Sequence, residues 1–215
     1  MLTKICGLGD APGLRAAAAA GADMVGLVFF PPSPRAVTPA QAATLSTAVP
    51  DAVAGGPQRV GLFVDAADAL IAEVLAAVKL DILQLHGAET PARCAAIRDR
   101  FGRPVMKALG IASVADFAAI NLYAAVVDYF LLDAKAPPGA ALPGGNAAPF
   151  DWTLTAGRVF PHPWLLAGGL TPENVAQAIA ASGATGVDVS SGVEVSRGVK
   201  DSSRIAAFVA AARAA

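Results

Sequence analysis

The sequence predicts an α/β chain folded as a single (β/α)8 TIM barrel. Three observations carry that expectation. Short runs of Val, Leu, Ile and Phe recur eight times along the chain. Alanine-rich stretches of helical character lie between them. Each unit takes roughly 26 residues, and no break in composition divides residues 1–215, which suits one barrel at the short end of its size range.

The runs read Thr3–Cys6, Met24–Phe29, Val60–Val64, Ile82–Leu85, Pro104–Ala108, Tyr129–Asp133, Trp164–Ala167 and Val187–Val189. They are too short for helices and apolar throughout, as strands covered on both faces are. The helices follow. Ala40–Val49 begins after Thr38-Pro39, a cap with proline in the first turn. Ala67–Val78 repeats apolar residues at helical spacing, and Glu89–Phe101, Ser113–Leu122 and Asn174–Ala181 behave likewise. Thr171-Pro172-Glu173-Asn174 reads as a helix start, and Ser202–Ala214 closes the chain as a last helix. A doubly wound open sheet is the alternative. It calls for a nucleotide fingerprint after the first strand. The turn there, Cys6-Gly7-Leu8-Gly9-Asp10-Ala11-Pro12-Gly13, holds only a lone Gly-x-Gly.

Composition excludes several classes. Hydrophobic residues make up 55% and charged residues 15%, the reverse of a disordered chain. A formal net charge of −1 offers no basic stripe for nucleic acid. Two cysteines, Cys6 and Cys94, make no disulfide framework. No uninterrupted apolar run reaches membrane-spanning length, and Met1 to Ile5 shows no signal-peptide pattern. The expectation is a reduced, cytoplasmic globular protein, a monomer or homodimer, with no nucleic-acid or membrane partner.

In a barrel the strand C-termini and the loops after them form the working face. Lys4 and Cys6 share a face at the end of strand 1, where an ammonium favours thiolate. A small buried hydrophobe is the plain alternative for Cys6, and Cys94 reads as core. Gln84 and His86 share a face at strand 4, and His86 is equally a buried histidine satisfied by the backbone. His162, between prolines ahead of strand 7, reads as structural. Asp133 closes apolar strand 6, which is costly unless the carboxylate is paired or used; Lys135 is the candidate partner. Arg35 follows a proline-stiffened loop and could grip a carboxylate or phosphate bidentately, or remain a solvated loop charge. Gly168-Gly169 after strand 7 and Ser190-Ser191-Gly192 after strand 8 read as a phosphate cradle. No metal-ligand spacing is visible, so no metal and no cofactor is expected.

Eight strings carry a resemblance that spans nearly the whole chain in order. They are KICGL, GLVFFPPSPR, VGLFVD, LQLHG, LLDAK, FDW at Phe150–Trp152, LLAGGLTPENV, and GVDVSSGVE followed by GVKD. Together they resemble the phosphoribosylanthranilate isomerase family of tryptophan biosynthesis. The resemblance implies an Amadori rearrangement of a small phosphosugar, N-(5′-phosphoribosyl)anthranilate, without a cofactor. It implies Cys6 as general base, Asp133 as general acid and Arg35 at the anthranilate end. It places Lys4, Gln84, His86 and Asp188 along the pocket, and phosphate on Gly168, Gly169, Ser190, Ser191 and Gly192. The chain departs from the family's glycine-rich segment ahead of FDW, where Asn146 and Ala147 stand. That bears on the loop Lys135–Pro149, whose length and glycine content suit a lid. The rivals are another phosphosugar barrel and a non-catalytic phosphosugar-binding barrel. Among the former, an aldolase would use Lys107, read here as the end of strand 5.

Overall fold

The computed structural model describes residues 1–135 and 150–215. Eight parallel strands close into a barrel in chain order, with β1 pairing both β2 and β8. They are β1 (Leu2–Cys6), β2 (Met24–Val28), β3 (Gln58–Phe63), β4 (Ile82–Leu85), β5 (Val105–Ile111), β6 (Tyr129–Ala134), β7 (Trp164–Leu166) and β8 (Gly186–Val189). The helices are α1 (Ala11–Ala19), α2 (Pro39–Ser46), α3 (Asp68–Ala77), α4 (Pro91–Phe101), α5 (Ala118–Tyr123), α6 (Val175–Ser182) and α7 (Ser202–Ala214). A small antiparallel hairpin, β9 (Glu194–Ser196) and β10 (Val199–Lys200), precedes α7. No helix among the described residues is long and apolar enough to cross a membrane.

The strands take their two faces from simple alternation. Met24, Val60, Ile82, Met106, Ala108, Leu131, Leu165 and Ala167 fill the barrel lumen. Their sequence neighbours Val25, Leu83, Val105, Phe130 and Leu166 pack outward under the helices. Both faces are dry, which is why each strand reads as a continuous apolar run.

Helix starts carry side-chain caps, and that at Thr38-Pro39 is the one the sequence predicts. Thr38 and Gln41 form a reciprocal capping box at α2, with Pro39 in the first turn. Asp201 accepts from the Ser203 and Arg204 amides at α7. The start of α6 differs from expectation. The Asn174 side chain accepts from the Thr171 amide, so the turn 171–174 stands ahead of the helix. The sequence reading also passed over α1. Pro12 and Gly13 inside its first turn look like a loop, and the alanine run after them has no apolar period. Asp10 caps it by accepting from the Gly13 amide.

At the N-terminal ends of alternate strands, an aspartate clamps the neighbouring backbone. Asp23, Asp81 and Asp128 each precede an even-numbered strand. Each accepts from an amide of the odd-numbered strand before it, at Thr3, Arg59 and Val105, within 2.7–2.8 Å. These bonds fix the register of strand pairs at the end away from the mouth.

Lys107 corrects one expectation. Strand 5 runs on to Ile111, so Lys107 lies inside it and faces outward with Val105 and Leu109. Its ammonium meets the Glu89 carboxylate at 2.8 Å and also donates to the Leu85 and Gly87 carbonyls. Glu89 in turn accepts from the Asp65 and Gly87 amides. A lysine so held faces the helix layer rather than the lumen, and the Schiff-base reading loses its nucleophile.

The pair is 3% and 2% exposed, so removing one partner strands a buried charge. Lys107→Met is expected to destabilise the fold by about 3–5 kcal/mol, with Glu89→Gln in the same background recovering part of it. Urea unfolding midpoints check both.

Candidate active site

The strand C-termini bring most of the sequence-predicted polar residues to one mouth. Lys4 lies opposite Met24 on one side and Asp188 on the other, so all three share the inner face. Lys4 is fully buried and its Nζ donates to Asp188 Oδ1 at 2.8 Å. Cys6, two residues on, is 4% exposed, and Gly26 on β2 leaves room for its Sγ. Burial works against the Lys4 ammonium, but the Asp188 carboxylate outweighs it and the Lys4 pKa rises.

The same burial pushes the Cys6 thiol above its ordinary value, against the pull of Lys4 and Lys200. Loss of hydration outweighs the neighbouring ammonium groups in this balance.

Across the mouth, Asp133 Oδ1 accepts from the Ala134 amide at 2.8 Å, and Oδ2 lies 3.4 Å from His86 Nε2. The suggested Lys135 pairing does not form. Lys135 donates instead to Asp116 at 2.6 Å, the leading cause that holds the Asp116 carboxyl down to about 2. Gln84 is fully buried, and its amide lies 2.9 Å from His86 Nδ1. His162 bonds the Ala124 carbonyl away from this mouth, and Cys94 is buried on α4.

The loops after β7 and β8 interlock. Gly168 takes φ +86°, and a Cβ there would fall 3.0 Å from Asp133 Oδ1. At Gly192 a Cβ would fall 1.8 Å from the Leu170 carbonyl oxygen, so only glycine lets the two loops touch. Ser190 and Ser191 lie on the β8 side of this contact, and Gly169 on the β7 side. The loop 136–149, with Asn146 and Ala147, lies outside the described residues, so the lid expectation goes without a structural account. After it, Asp151 of the FDW string accepts from the Thr153 amide and caps a short 3-10 turn at Trp152–Thr155.

Two further charged residues, not singled out in the sequence, join this mouth. Glu194 and Lys200 face each other across the β9–β10 hairpin at 2.8 Å. Arg35, 8% exposed, donates to Glu194 through Nε at 2.6 Å and through one terminal nitrogen at 2.9 Å. Lys200 also donates to the Ser190 carbonyl at 2.9 Å. Arg35 is thus neither solvated nor free. Glutamate holds one edge of its guanidinium and leaves the other edge, with its second terminal nitrogen, for a further acceptor. The signal in the sequence was a glutamate and a lysine six residues apart around Gly198.

A closed parallel barrel that gathers its reactive groups at the C-terminal mouth defines a (β/α)8-barrel enzyme. A family model described as N-(5′-phosphoribosyl)anthranilate (PRA) isomerase matches residues 3–211, and the chain belongs to that family. It is 60% identical over 212 residues to the N-(5′-phosphoribosyl)anthranilate isomerase of Rhodospirillum rubrum, covering 99% of this chain and 97% of that one. Two solved structures cover both chains completely. One shows monomers generated from the dimeric phosphoribosylanthranilate isomerase of Thermotoga maritima, with a TM-score of 0.83 and 35% identity. The other is a phosphoribosyl anthranilate isomerase in complex with reduced 1-(o-carboxyphenylamino)-1-deoxyribulose 5-phosphate, with a TM-score of 0.84 and 34% identity.

Burial works against the Glu194 carboxylate, but hydrogen bonds from Arg35 and Lys200 hold its pKa down to about 2 from an ordinary 4.5. Its stabilising contribution is present above pH 4.5 and is lost as pH falls towards 2. Glu194→Gln is expected to remove about 3 kcal/mol of that acid dependence, read as urea midpoints between pH 5 and 2.5 (roughly this window).

Proposed function

We propose that this chain isomerises N-(5′-phosphoribosyl)anthranilate to 1-(2-carboxyphenylamino)-1-deoxyribulose 5-phosphate, with Asp133 as acid and Cys6 as base. The observation that carries the assignment is the placement of these two groups. They end β6 and β1, on opposite sides of one mouth, with a glycine-built anion cradle on the β7 and β8 loops beside them.

The chemistry proceeds by two proton transfers. Asp133 gives a proton to the ribose ring oxygen as the anilino nitrogen lone pair expels it. The ring opens and an iminium forms, which acidifies the proton at C2′. Cys6 takes that proton as thiolate, with the Lys4 and Lys200 ammonium groups offsetting part of the cost that burial places on its charge. The electron pair of the C–H bond closes the enolamine and neutralises the iminium. The enolamine then tautomerises to the ketone. The nitrogen lone pair drives ring opening and the C2′–H pair forms the enolamine, so the reading calls for no cofactor. The phosphate sits on Gly168, Gly169, Ser190, Ser191 and Gly192, whose backbone can approach an anion closely. The anthranilate carboxylate takes the free edge of Arg35.

The closure of all eight strands into one sheet supports reading residues 1–215 as one domain. We read the enzyme as cytoplasmic and as a monomer or homodimer.

Cys6→Ala and Asp133→Asn are each expected to lower kcat by roughly 10²–10⁴-fold with folding intact. Near-full activity in either variant removes that residue from its role. Loss of rescue in an auxotroph lacking this isomerase gives the same answer in cells. Arg35→Lys is expected to recover only part of the about 1.5–3 kcal/mol that Arg35→Ala loses in kcat/KM, because an ammonium cannot serve Glu194 and a substrate carboxylate along two edges. Steady-state kinetics on the two variants checks this.

A further inference from the structure

The proton transfers above leave the place of Gln84 unexplained. It is fully buried on β4 and shares the inner face with Met106. Its amide lies 2.9 Å from His86 Nδ1, and its Oε1 has no hydrogen-bond partner. An amide buried with an orphaned acceptor carries a desolvation cost that a methionine of similar shape would avoid. On the far side of the ring, His86 Nε2 lies 3.4 Å from Asp133 Oδ2.

A neutral imidazole has one protonated and one bare nitrogen, and the partner of one nitrogen decides the state of the other. An N–H of Gln84 pointing at Nδ1 requires that nitrogen to be bare. The proton is then on Nε2, facing the carboxyl of Asp133. In this arrangement one N–H of the Gln84 amide serves Nδ1, and Oε1 is the atom left without a partner.

We infer that Gln84 is a positioning residue that holds His86 in the Nε2–H tautomer, so that His86 supports the Asp133 carboxylate formed when its proton leaves for the substrate. The inference rests on the reading of Asp133 as the acid. Gln84 touches no substrate in this arrangement and acts through the imidazole alone. His86 gains no proton and loses none. It offers its Nε2–H to a charge that appears during ring opening, which lowers the barrier to that step without tightening the ground state.

The test uses the full chain labelled with ¹⁵N-histidine. There are two histidines, and His162, held by the Ala124 carbonyl, serves as an internal reference. In the parent protein His86 is expected to show a bare Nδ1 and a protonated Nε2. Gln84→Glu places an acceptor on Nδ1 and is expected to protonate it. Gln84→Met removes the partner and is expected to release the ring to a mixture of tautomers. In both variants kcat falls by roughly 10- to 100-fold, the scale for a lost orienting partner, while KM stays within about threefold. In an Asp133→Asn background, Gln84→Met should lower kcat no further, because both changes act through one group.

A His86 pattern unmoved in the folded Gln84 variants overturns the inference. So does an unchanged kcat, or a KM that rises while kcat holds. Should Gln84→Met fail to fold, the nearly isosteric Gln84→Glu decides by the same two readouts. An active Asp133→Asn would remove the acid assignment and this inference with it. An inactive Asp133→Asn beside fully active Gln84 variants removes the inference alone.

Discussion

A buried ammonium must find a carboxylate, and in this barrel Lys4 finds one across the closing seam. Asp188 stands on the last strand and Lys4 on the first, in register and 2.8 Å apart. An unpaired charge at that depth would cost several kcal/mol. The barrel cannot satisfy it without bringing β8 against β1. Closure of the sheet and assembly of the mouth are therefore one event. Cys6 lies two residues beyond Lys4, and Ser190 two beyond Asp188. Each is placed by the same seam.

The rest of the molecule keeps that mouth in shape from outside. Asp23, Asp81 and Asp128 clamp the opposite ends of the strands, where alternation and burial leave amides that need acceptors. Near the mouth, Glu89 and Lys107 tie the loops after β3 and β4 to β5. Their charges face the helix layer and stay off the lumen. The division follows from the pleat. Odd and even residues of one strand serve different jobs, one set building the site and the other bracing it.

Charge at the mouth is arranged in two groups. On one side Arg35, Glu194 and Lys200 form a buried chain, with two cations sharing one carboxylate. That leaves a net positive edge at the mouth. On the other side Asp133 faces His86, and the glycine-built loops after β7 and β8 lie beside it. In the proposed reaction a phosphosugar bound at this mouth would meet Asp133 from one wall and Cys6 from another.

Much of this was legible in the sequence. Eight dry strands read as eight apolar runs, because a parallel sheet covered on both faces removes polar residues from the whole strand. Thr38 stands at a helix start, and the residues closing strands 1, 6 and 8 come to one end of the barrel, as local chemistry and topology require. Other features depended on contacts between distant segments. Helix α1 was hidden because an alanine run carries no apolar period to read. Lys107 faces the helix layer because its register partners Leu85 and Phe130 do, and register is set by the neighbouring strands. The state of Cys6 follows from how completely the barrel buries it, which Lys4 two residues away does not reveal. Glu194 and Lys200 reach Arg35 only because the β9–β10 hairpin folds back over the loop after β2, and sequence spacing holds no distance between residues 159 apart. The sequence by itself determined the strands, the helix caps and the reactive residue types. The tertiary structure alone decided which charges meet, because burial and pairing depend on neighbours from other parts of the chain.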